Sequence, residues 1–302
     1  MVLPKLLDRP GQSWSWRYKL MQLSCAVSDV WRDKPERVKL WEAAHQFDYW
    51  VAFPGNRQEP INQKAEKLQR LGDYCSAANR PIRGHHLFRC HHQENWGWHV
   101  ARAEKLAAAL PQAVAWDVVH EMYCRRRWID VEDWAVKGFD VASAINPDGR
   151  FFVSEYRPQN RERLQWVIQL CEWCLDRGLP LAGVSIQLHS HLLSFQPWQL
   201  DAVAARLQPL KERGLEFQCF EVVSYMRVGP RRPIPPNAEH MQAQRYRTYR
   251  RFAEAIGASA FGPWNMWDGA GTHPQDGQPS LAGLWREDWT EKPAHKVFFP
   301  SG

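Results

Sequence analysis

The segments CLDRGLPLAGVSIQL, 174–188, and LKERGLEFQCFEVVSY, 210–225, share one pattern: the end of a helix, the tripeptide RGL, and an apolar strand. Gly178 and Gly214 occupy the position just past each helix, where a residue in the left-handed conformation commonly ends it. A helix that passes directly into an apolar strand, twice in succession, is typical of a parallel sheet covered by helices.

The same alternation extends along the rest of the chain. Strands are predicted at 21–27, 46–53, 80–88, 113–122, 150–156, 182–189, 215–224 and 258–268. Helices are predicted at 34–46, 62–79, 98–110, 239–256 and 291–298, and one after residue 156 carries an apolar stripe of Leu164, Val167, Ile168, Cys171, Cys174 and Leu175. Eight such units predict an α/β fold closed into a (β/α)₈ TIM barrel. We expect a single barrel domain over 19–302, with 1–18 as an N-terminal extension packed on it.

Composition excludes several classes of protein. With 302 residues, 44% hydrophobic and 24% charged, the chain is neither disordered nor fibrous. No apolar run reaches the roughly 18 residues of a membrane helix, and Asp8, Arg9 and Pro10 interrupt any signal-peptide core, so we expect a cytoplasmic protein, with export by another route left open. The net charge of +6 belongs to no continuous basic helix or known nucleic-acid module, so neither nucleic acid nor membrane is expected as a partner. The oligomeric state is left undetermined.

In a barrel of this kind the active site lies at the C-terminal ends of the strands. The reactive residues predicted there are His120, Glu121, Gln187, His189, His191, Glu221, Trp264, Trp267 and Asp268. Two carboxylates at one barrel mouth suit retaining glycoside hydrolysis, in which one protonates the leaving oxygen and the other attacks the anomeric carbon. Two structural ion pairs are the alternative interpretation.

Seven segments, in order, resemble glycoside hydrolase family 10, the retaining endo-β-1,4-xylanases. The segment WDVVHE, 116–121, is similar to the family's W-D-V-V-N-E, and FEV, 220–222, falls where T-E-L-D occurs. The remaining segments are RGHHLFRCHHQENW (83–96), SEY (154–156), IQLH (186–189), WNMWD (264–268) and WTEKPAHKVF (289–298). The resemblance implies a barrel that cleaves polysaccharides without a metal or cofactor.

The resemblance also implies roles for individual residues. Glu121 would be the general acid/base and Glu221 the nucleophile, oriented by Gln187 and His189, and Trp264 would form the floor of the subsite for the attacked sugar. The substrate-binding set is His85, Arg89, Trp96, His120, Tyr156, Gln187, His189, Trp264 and Trp267.

Several positions depart from the family pattern. FDYWVAFPGNR, 47–57, lacks the Asn and Lys of E-N-x-x-K-W, and His120 replaces an Asn. Arg89 and Cys90 replace Trp-His, and Val223 replaces an Asp. Arginines instead gather near the expected mouth, in CRRRW (124–128) and at Arg89, Arg227, Arg231 and Arg232. Because guanidinium groups bind carboxylate and sulfate, these arginines predict an anionic polysaccharide rather than plain xylan.

Two other functions are compatible with the sequence. A catalytically weak or inactive barrel that only binds carbohydrate would explain the altered subsites. A metal-dependent hydrolase would use histidines among His85, His86, His91, His92, His189 and His191. The metal hypothesis is weaker, because alternation along a strand would point His85 and His86 to opposite sides.

Overall fold

The computed structural model describes residues 21–27, 42–52, 60–88, 96–126, 130–191, 197–226, 233–268 and 281–300. Within them, eight parallel strands form a closed barrel in which each strand pairs with the next along the chain and the last pairs with the first. The strands are β1 (Gln22–Val27), β2 (Tyr49–Ala52), β3 (Ile82–Gly84), β4 (Ala113–His120), β5 (Arg150–Tyr156), β6 (Leu181–His191), β7 (Glu216–Tyr225) and β8 (Ala260–Pro263). The predicted (β/α)₈ TIM barrel is confirmed.

Helices connect successive strands of the barrel. They are α1 (Ile61–Ala77), α2 (Trp96–Ala109), α3 (Val131–Ile145), α4 (Arg161–Asp176), α5 (Pro197–Glu212), α6 (Ala238–Ile256) and, after β8, the short α7 (His295–Phe298). The side chains of Asp130 and Asn160 cap the N-termini of α3 and α4, each by accepting a backbone N–H of the first turn. Gly178 and Gly214 follow α4 and α5 with φ of 69° and 88°, as the RGL pattern predicts.

One continuous apolar core joins the strands to the helices. It contains residues from all eight strands, among them Cys25, Trp50 and Phe261. The predicted stripe on α4 contributes five buried residues and the half-buried Leu175; the five are Leu164, Val167, Ile168, Cys171 and Cys174. The helix packs this stripe against the barrel, which explains its amphipathic spacing.

Several elements are shorter than predicted, and three of them are informative. The strand expected over 80–88 is limited to β3, and the strand expected over 258–268 ends at Pro263. After Pro263 the chain pairs with a different segment, since the carbonyl of Met266 accepts the N–H of Leu284 at 2.7 Å. The closing helix expected over 291–298 begins only at His295. The preceding Lys292 is buried in an ion pair with Asp268 at 2.9 Å, which a residue on an exposed first turn would not reach.

Some predictions fall partly or wholly outside the described residues. Of the helix predicted over 34–46, residues 42–44 are helical and everything before residue 42 lies outside. The predicted extension, 1–18, also lies outside, so its packing on the barrel stays a prediction. None of the described helices combines the length and the apolar character needed to cross a membrane.

Candidate active site

Two glutamates lie at or toward the C-terminal ends of barrel strands, and both have an unusual backbone conformation. Glu121 follows β4 directly with φ of 51°, and Glu221 lies within β7 with φ of 52°. The strand register also shifts just before Glu121 and across Glu221. Residues other than glycine seldom adopt a left-handed conformation, and when they do the site is often functional. Nothing in the sequence announces this strain, because neither position is a glycine.

Glu221 is buried between two imidazoles. His85 Nε2 lies 2.7 Å from its Oε1, and His189 Nε2 lies 3.4 Å from its Oε2. Burial by itself would raise the pKa of Glu221, but the positive charge and hydrogen bonds of the two histidines outweigh it and hold the pKa well below its usual range. Glu221 is therefore an ionised carboxylate in a site that is largely closed to water.

A polar network inside the barrel holds His85 in place. Its Nδ1 lies 2.5 Å from Asp117 Oδ2, and the other oxygen of Asp117 pairs with the guanidinium of Arg83. Arg83 is completely buried, with the rings of Phe152 and Phe220 each 4.5 Å from its guanidinium carbon. The network fixes the orientation of the imidazole, because a buried ion pair with several partners leaves the ring little freedom.

The charge of His85 follows from its two carboxylate neighbours. Burial would lower the pKa of the imidazole, yet Glu221 and Asp117 together raise it to about 9. At neutral pH His85 is therefore an imidazolium that donates from both nitrogens. Neither contact was predicted, since both join strands that are distant in sequence.

Glu121 shares one imidazole with Glu221. His120 Nε2 lies 3.6 Å from Glu121 Oε1, and a ring nitrogen of His120 lies within 4.8 Å of a carboxylate oxygen of Glu221. Both carboxylates thus lie near the same imidazole ring. The Glu121 side chain is 18% exposed against 8% for Glu221, so Glu121 is the one of the two that can exchange a proton with water more readily.

Glu155 carries another carboxyl group near Glu121, and the sequence analysis did not single it out. Glu155 is buried, accepts the N–H groups of Tyr123 and Tyr156 at 3.0 and 3.1 Å, and binds Arg163 at 2.9 Å. Burial and, more weakly, the charge of Glu121 raise its pKa to about 7, although Arg163 and the two amides oppose the shift. Glu155 fixes the turn that follows Glu121. Its position at the end of the strand SEY was the only signal available.

Gln187 and His120 belong to the same buried layer. Gln187 Nε2 donates to Ser154 Oγ at 3.2 Å and lies 3.5 Å from His120 Nδ1. The resemblance implied that Gln187 orients Glu221 together with His189. The structure instead places His85 and His189 on Glu221, and the contacts described for Gln187 are on the side of the site nearer Glu121.

The expected orientation of His85 and His86 is wrong. Their rings stack with centroids 5.1 Å apart and an interplanar angle of 15°, and both lie edge-on to His120 at 4.5 and 4.1 Å. Opposite orientation applies only within a regular strand, and β3 ends at Gly84. Alternation along a strand therefore does not exclude a metal site at these histidines.

The tryptophans predicted to bind substrate differ in their surroundings. Trp264 is half-buried with its ring centroid 6.0 Å from that of His85, which places it at the edge of the pocket. Trp267 stacks on Trp289 at 5.2 Å, with an interplanar angle of 5°. Trp264 is therefore the better placed of the two to contact a sugar at Glu221.

The other predicted substrate-binding residues lie to the side of the glutamates or outside the described residues. Trp96 stacks on Phe88 at 5.3 Å and meets Trp134 of α3 at 5.0 Å, so its described contacts are in the helical layer. Tyr156 packs against the guanidinium of Arg163, 3.8 Å from the ring centroid. Arg89 lies outside the described residues.

Comparisons with known proteins agree with this geometry. The family model Glycosyl hydrolase family 10 matches residues 56–300. Beta-1,4-xylanase of Dictyoglomus thermophilum is 26% identical over 210 residues, which are 62% of this chain and 55% of that protein. Exoglucanase XynX of Acetivibrio thermocellus is 22% identical over 219 residues, or 59% of this chain and 20% of that protein. The chain thus spans about half or less of these two relatives.

A solved structure supports the fold over almost the whole chain. The structure of GH10 from Paenibacillus barcinonensis superposes with a TM-score of 0.75 at 18% identity, covering 95% of this chain and 96% of that one. The resemblance predicted from the seven segments is confirmed by the family match. The chain belongs to glycosyl hydrolase family 10.

Proposed function

We propose that this protein is a retaining glycoside hydrolase that cleaves β-1,4 bonds of a xylan-like polysaccharide carrying acidic substituents. The observation that carries the proposal is that Glu121, which directly follows β4, and Glu221, in the C-terminal half of β7, both lie near the His120 ring. Glu221 is buried between two histidines, as suits a nucleophile, and the more exposed Glu121 is the one that leaving group and water can reach.

In the first step Glu221 attacks the anomeric carbon while Glu121 gives its proton to the leaving oxygen. The bond from the anomeric carbon to that oxygen breaks, the shortened chain leaves as an alcohol, and the sugar becomes an ester of Glu221. The low pKa of Glu221 keeps it ionised for this attack. His85 and His189 each contact one of its two oxygens, so the orientation of the carboxylate is fixed before the attack.

In the second step Glu121, now a carboxylate, takes a proton from water. The hydroxide attacks the anomeric carbon from the face that the leaving group vacated, and the ester bond to Glu221 breaks. Two inversions give net retention. The greater exposure of Glu121 suits this step, because the attacking water has to reach it.

Trapping of the ester intermediate tests the mechanism. A 2-fluoro β-xylobioside with a good leaving group should inactivate the protein and leave its sugar on Glu221, as mapped by peptide mass spectrometry. Glu221→Gln should take up no label, whereas Glu212→Gln, which changes an exposed residue at the end of α5, should label like the wild type. An adduct on another residue, or turnover of the parent glycoside without any adduct, would refute the assignment. A barrel that only binds sugar would show neither turnover nor label.

The acidic nature of the substrate rests on the arginines. Arg157 is exposed directly after β5, with its guanidinium carbon 5.6 Å from the centroid of the Tyr156 ring. Its backbone N–H donates to the carbonyl of Gln187 at 3.2 Å, so Arg157 lies at the C-terminal end of the strands, where the active site of such a barrel is found. Arg126 is engaged elsewhere, since it donates to the carbonyl of Tyr123 at 2.6 Å. Of the other predicted arginines, Arg89, Arg127, Arg227, Arg231 and Arg232 lie outside the described residues. Arg157 was not among those predicted.

A matched pair of substrates tests the preference for acid groups. Glucuronoxylan should be hydrolysed with a higher kcat/KM than the same polymer after its carboxyl groups are reduced to alcohols. Arg157→Gln should reduce the ratio of the two kcat/KM values, and Arg177→Gln should leave it unchanged. Arg177 is a matched control for Arg157. It is also exposed and lies over an aromatic ring, that of Trp173, at 4.7 Å, but it follows α4 at the opposite end of the barrel. Equal rates on both polymers would reject the acidic substrate.

A further inference from the structure

Three side chains in the pocket form a group that the proposed hydrolysis does not use as a unit. His85, His120 and Glu221 are all buried, and each offers one ligand atom such that the three atoms lie within 4.8 Å of one another. Two imidazoles and one carboxylate are the donor set that zinc accepts in sites with an open fourth position.

The contact between His85 and Glu221 needs a positive particle between the two atoms. Asp117 only accepts hydrogen bonds, so His85 Nδ1, 2.5 Å away, carries a hydrogen. His85 Nε2 then faces Glu221 Oε1 at 2.7 Å, and a carboxylate oxygen also only accepts. A proton fills this position. A metal ion would bind the same two atoms only by displacing that proton and moving them apart, because each would lie about 2.0–2.2 Å from zinc. A carboxylate behind the opposite nitrogen is also how proteins commonly orient a histidine that binds a metal.

His120 supplies the third donor. It is 2% exposed, and its ring meets that of His85 edge-on at 4.5 Å. An imidazole is a good ligand for zinc, whereas the amide of an asparagine is a poor one. The histidine at this position is therefore what turns an ion pair into a possible site for a transition metal.

We propose that His85, His120 and Glu221 bind a Zn²⁺ ion, and that the bound ion blocks hydrolysis. Zinc would take the lone pair of the carboxylate that has to attack the sugar and would occupy the space of the attacked carbon. Binding of the ion stands independently of activity, whereas the inhibitory effect rests on the proposed function. The inhibition would be reversible, because a chelator would remove the ion and the carboxylate would again bond to His85.

Zinc binding is measured directly on the full chain after removal of metals with a chelator. Titration calorimetry with zinc chloride should show one ion per chain for the wild type and no binding of Mg²⁺, which prefers oxygen ligands. His120→Asn removes a direct ligand, so zinc affinity should fall by more than the roughly 10–100-fold that loss of an outer hydrogen-bond partner costs. His240→Asn, at an exposed histidine on α6, should bind zinc like the wild type.

A second variant and a second readout separate the possible failures. Glu221→Gln should also lose zinc, and circular dichroism should show both variants folded. A wild type that takes up no zinc, or folded His120→Asn and Glu221→Gln variants that bind as the wild type does, would overturn the site. Hydrolysis is then assayed on the chelated wild type with and without zinc. Turnover without zinc binding would reject the zinc site and leave the proposed hydrolase function standing. Zinc binding without any turnover would support the zinc site and reject the hydrolase function.

Discussion

His85 connects the interior of the barrel to the reacting carboxylate. On one side it meets Asp117 and through it the buried Arg83, and on the other it meets Glu221. Positive and negative groups alternate along this line, so each charge is paired despite its burial. Removing one member leaves its neighbours as unpaired buried charges, which is more costly than the net contribution of the pair itself.

The raised pKa of His85 predicts a dependence of stability on pH. Its pKa rises from 6.5 in the unfolded chain to about 9 in the fold, so the stabilisation is complete below pH 6.5 and is lost as the pH rises through 9. By linkage the loss is on the order of 3 kcal/mol. Urea unfolding between pH 6 and 10 should show this decline in the wild type and a flatter curve in His85→Gln.

Glu221, the acidic partner of His85, should show the opposite dependence of stability on pH. Because the pKa of Glu221 is lowered, its stabilisation is present above the ordinary value of 4.5 and is lost as the pH falls below it. His240→Gln, which changes an exposed histidine, is the control for both the alkaline and the acid part of the stability curve. Parallel curves for wild type and His85→Gln between pH 6.5 and 10 would show that His85 does not carry the charge described here.

At the residue scale, the sequence predicted which residues lie at the site better than which of them touch. Glu121 and Glu221 were found because each ends an apolar strand of a predicted barrel. The bond from His85 to Glu221 could not be found, since it joins β3 and β7 across the barrel. That distance depends on the tilt and stagger of the strands, which no local pattern encodes.

Among the elements, α4 is fixed at the end nearest the site. The side chain of Asn160 accepts the N–H of Arg163 at 2.9 Å, and the guanidinium of Arg163 holds Glu155. The cap therefore supports both the helix and the turn that follows Glu121. Helix α4 also carries the apolar stripe that the sequence predicted correctly, because a 3.6-residue period is a local property.

Loss of this cap should destabilise the protein modestly. Asn160→Ala removes an acceptor for a free N–H of the first turn, and we expect unfolding to become easier by about 1 kcal/mol. Asn160→Asp keeps the acceptor and adds a negative charge at a helix N-terminus, so it should be at least as stable as the wild type. Denaturant unfolding at pH 7 measures both. Equal losses in the two variants would mean that the side-chain bond to Arg163 does not stabilise the helix.

Strand lengths were harder to predict than the existence of the strands. The strand predicted over 80–88 extends past Gly84, but only the part that forms β3 has a regular ladder. Beyond it the chain still bonds to its neighbours, since His85 donates its N–H to Ala52 at 3.0 Å and Leu87 donates to Asp117 at 2.8 Å. The irregular path brings His85 and His86 to the same side. Hydrophobic alternation marks what is buried, and it does not report where a ladder ends.

For the whole molecule, the decisive event is the closure of the barrel between β1 and β8. Gln22 pairs with Ala260 and Leu23 with Phe261, so Gly262 comes next to Ser24. A Cβ atom at Gly262 would lie 1.8 Å from the backbone oxygen of Ser24. The alternation of strands and helices predicted a closed barrel, but not the glycine that closure requires, because the contact joins the two ends of the fold.

Gly262→Ala should therefore separate or strain the pairing of β1 with β8. The obstructing atom belongs to the backbone, which cannot rotate away as a side chain can, so we expect a loss of at least about 3 kcal/mol, the upper end for overpacking. Gly214→Ala is the matched control. It has open space around the added methyl group, and its cost should be only the roughly 1–2 kcal/mol of a left-handed alanine. Urea unfolding of both variants compares them directly, and Gly262→Ala as stable as Gly214→Ala would show that β1 and β8 do not approach this closely in solution.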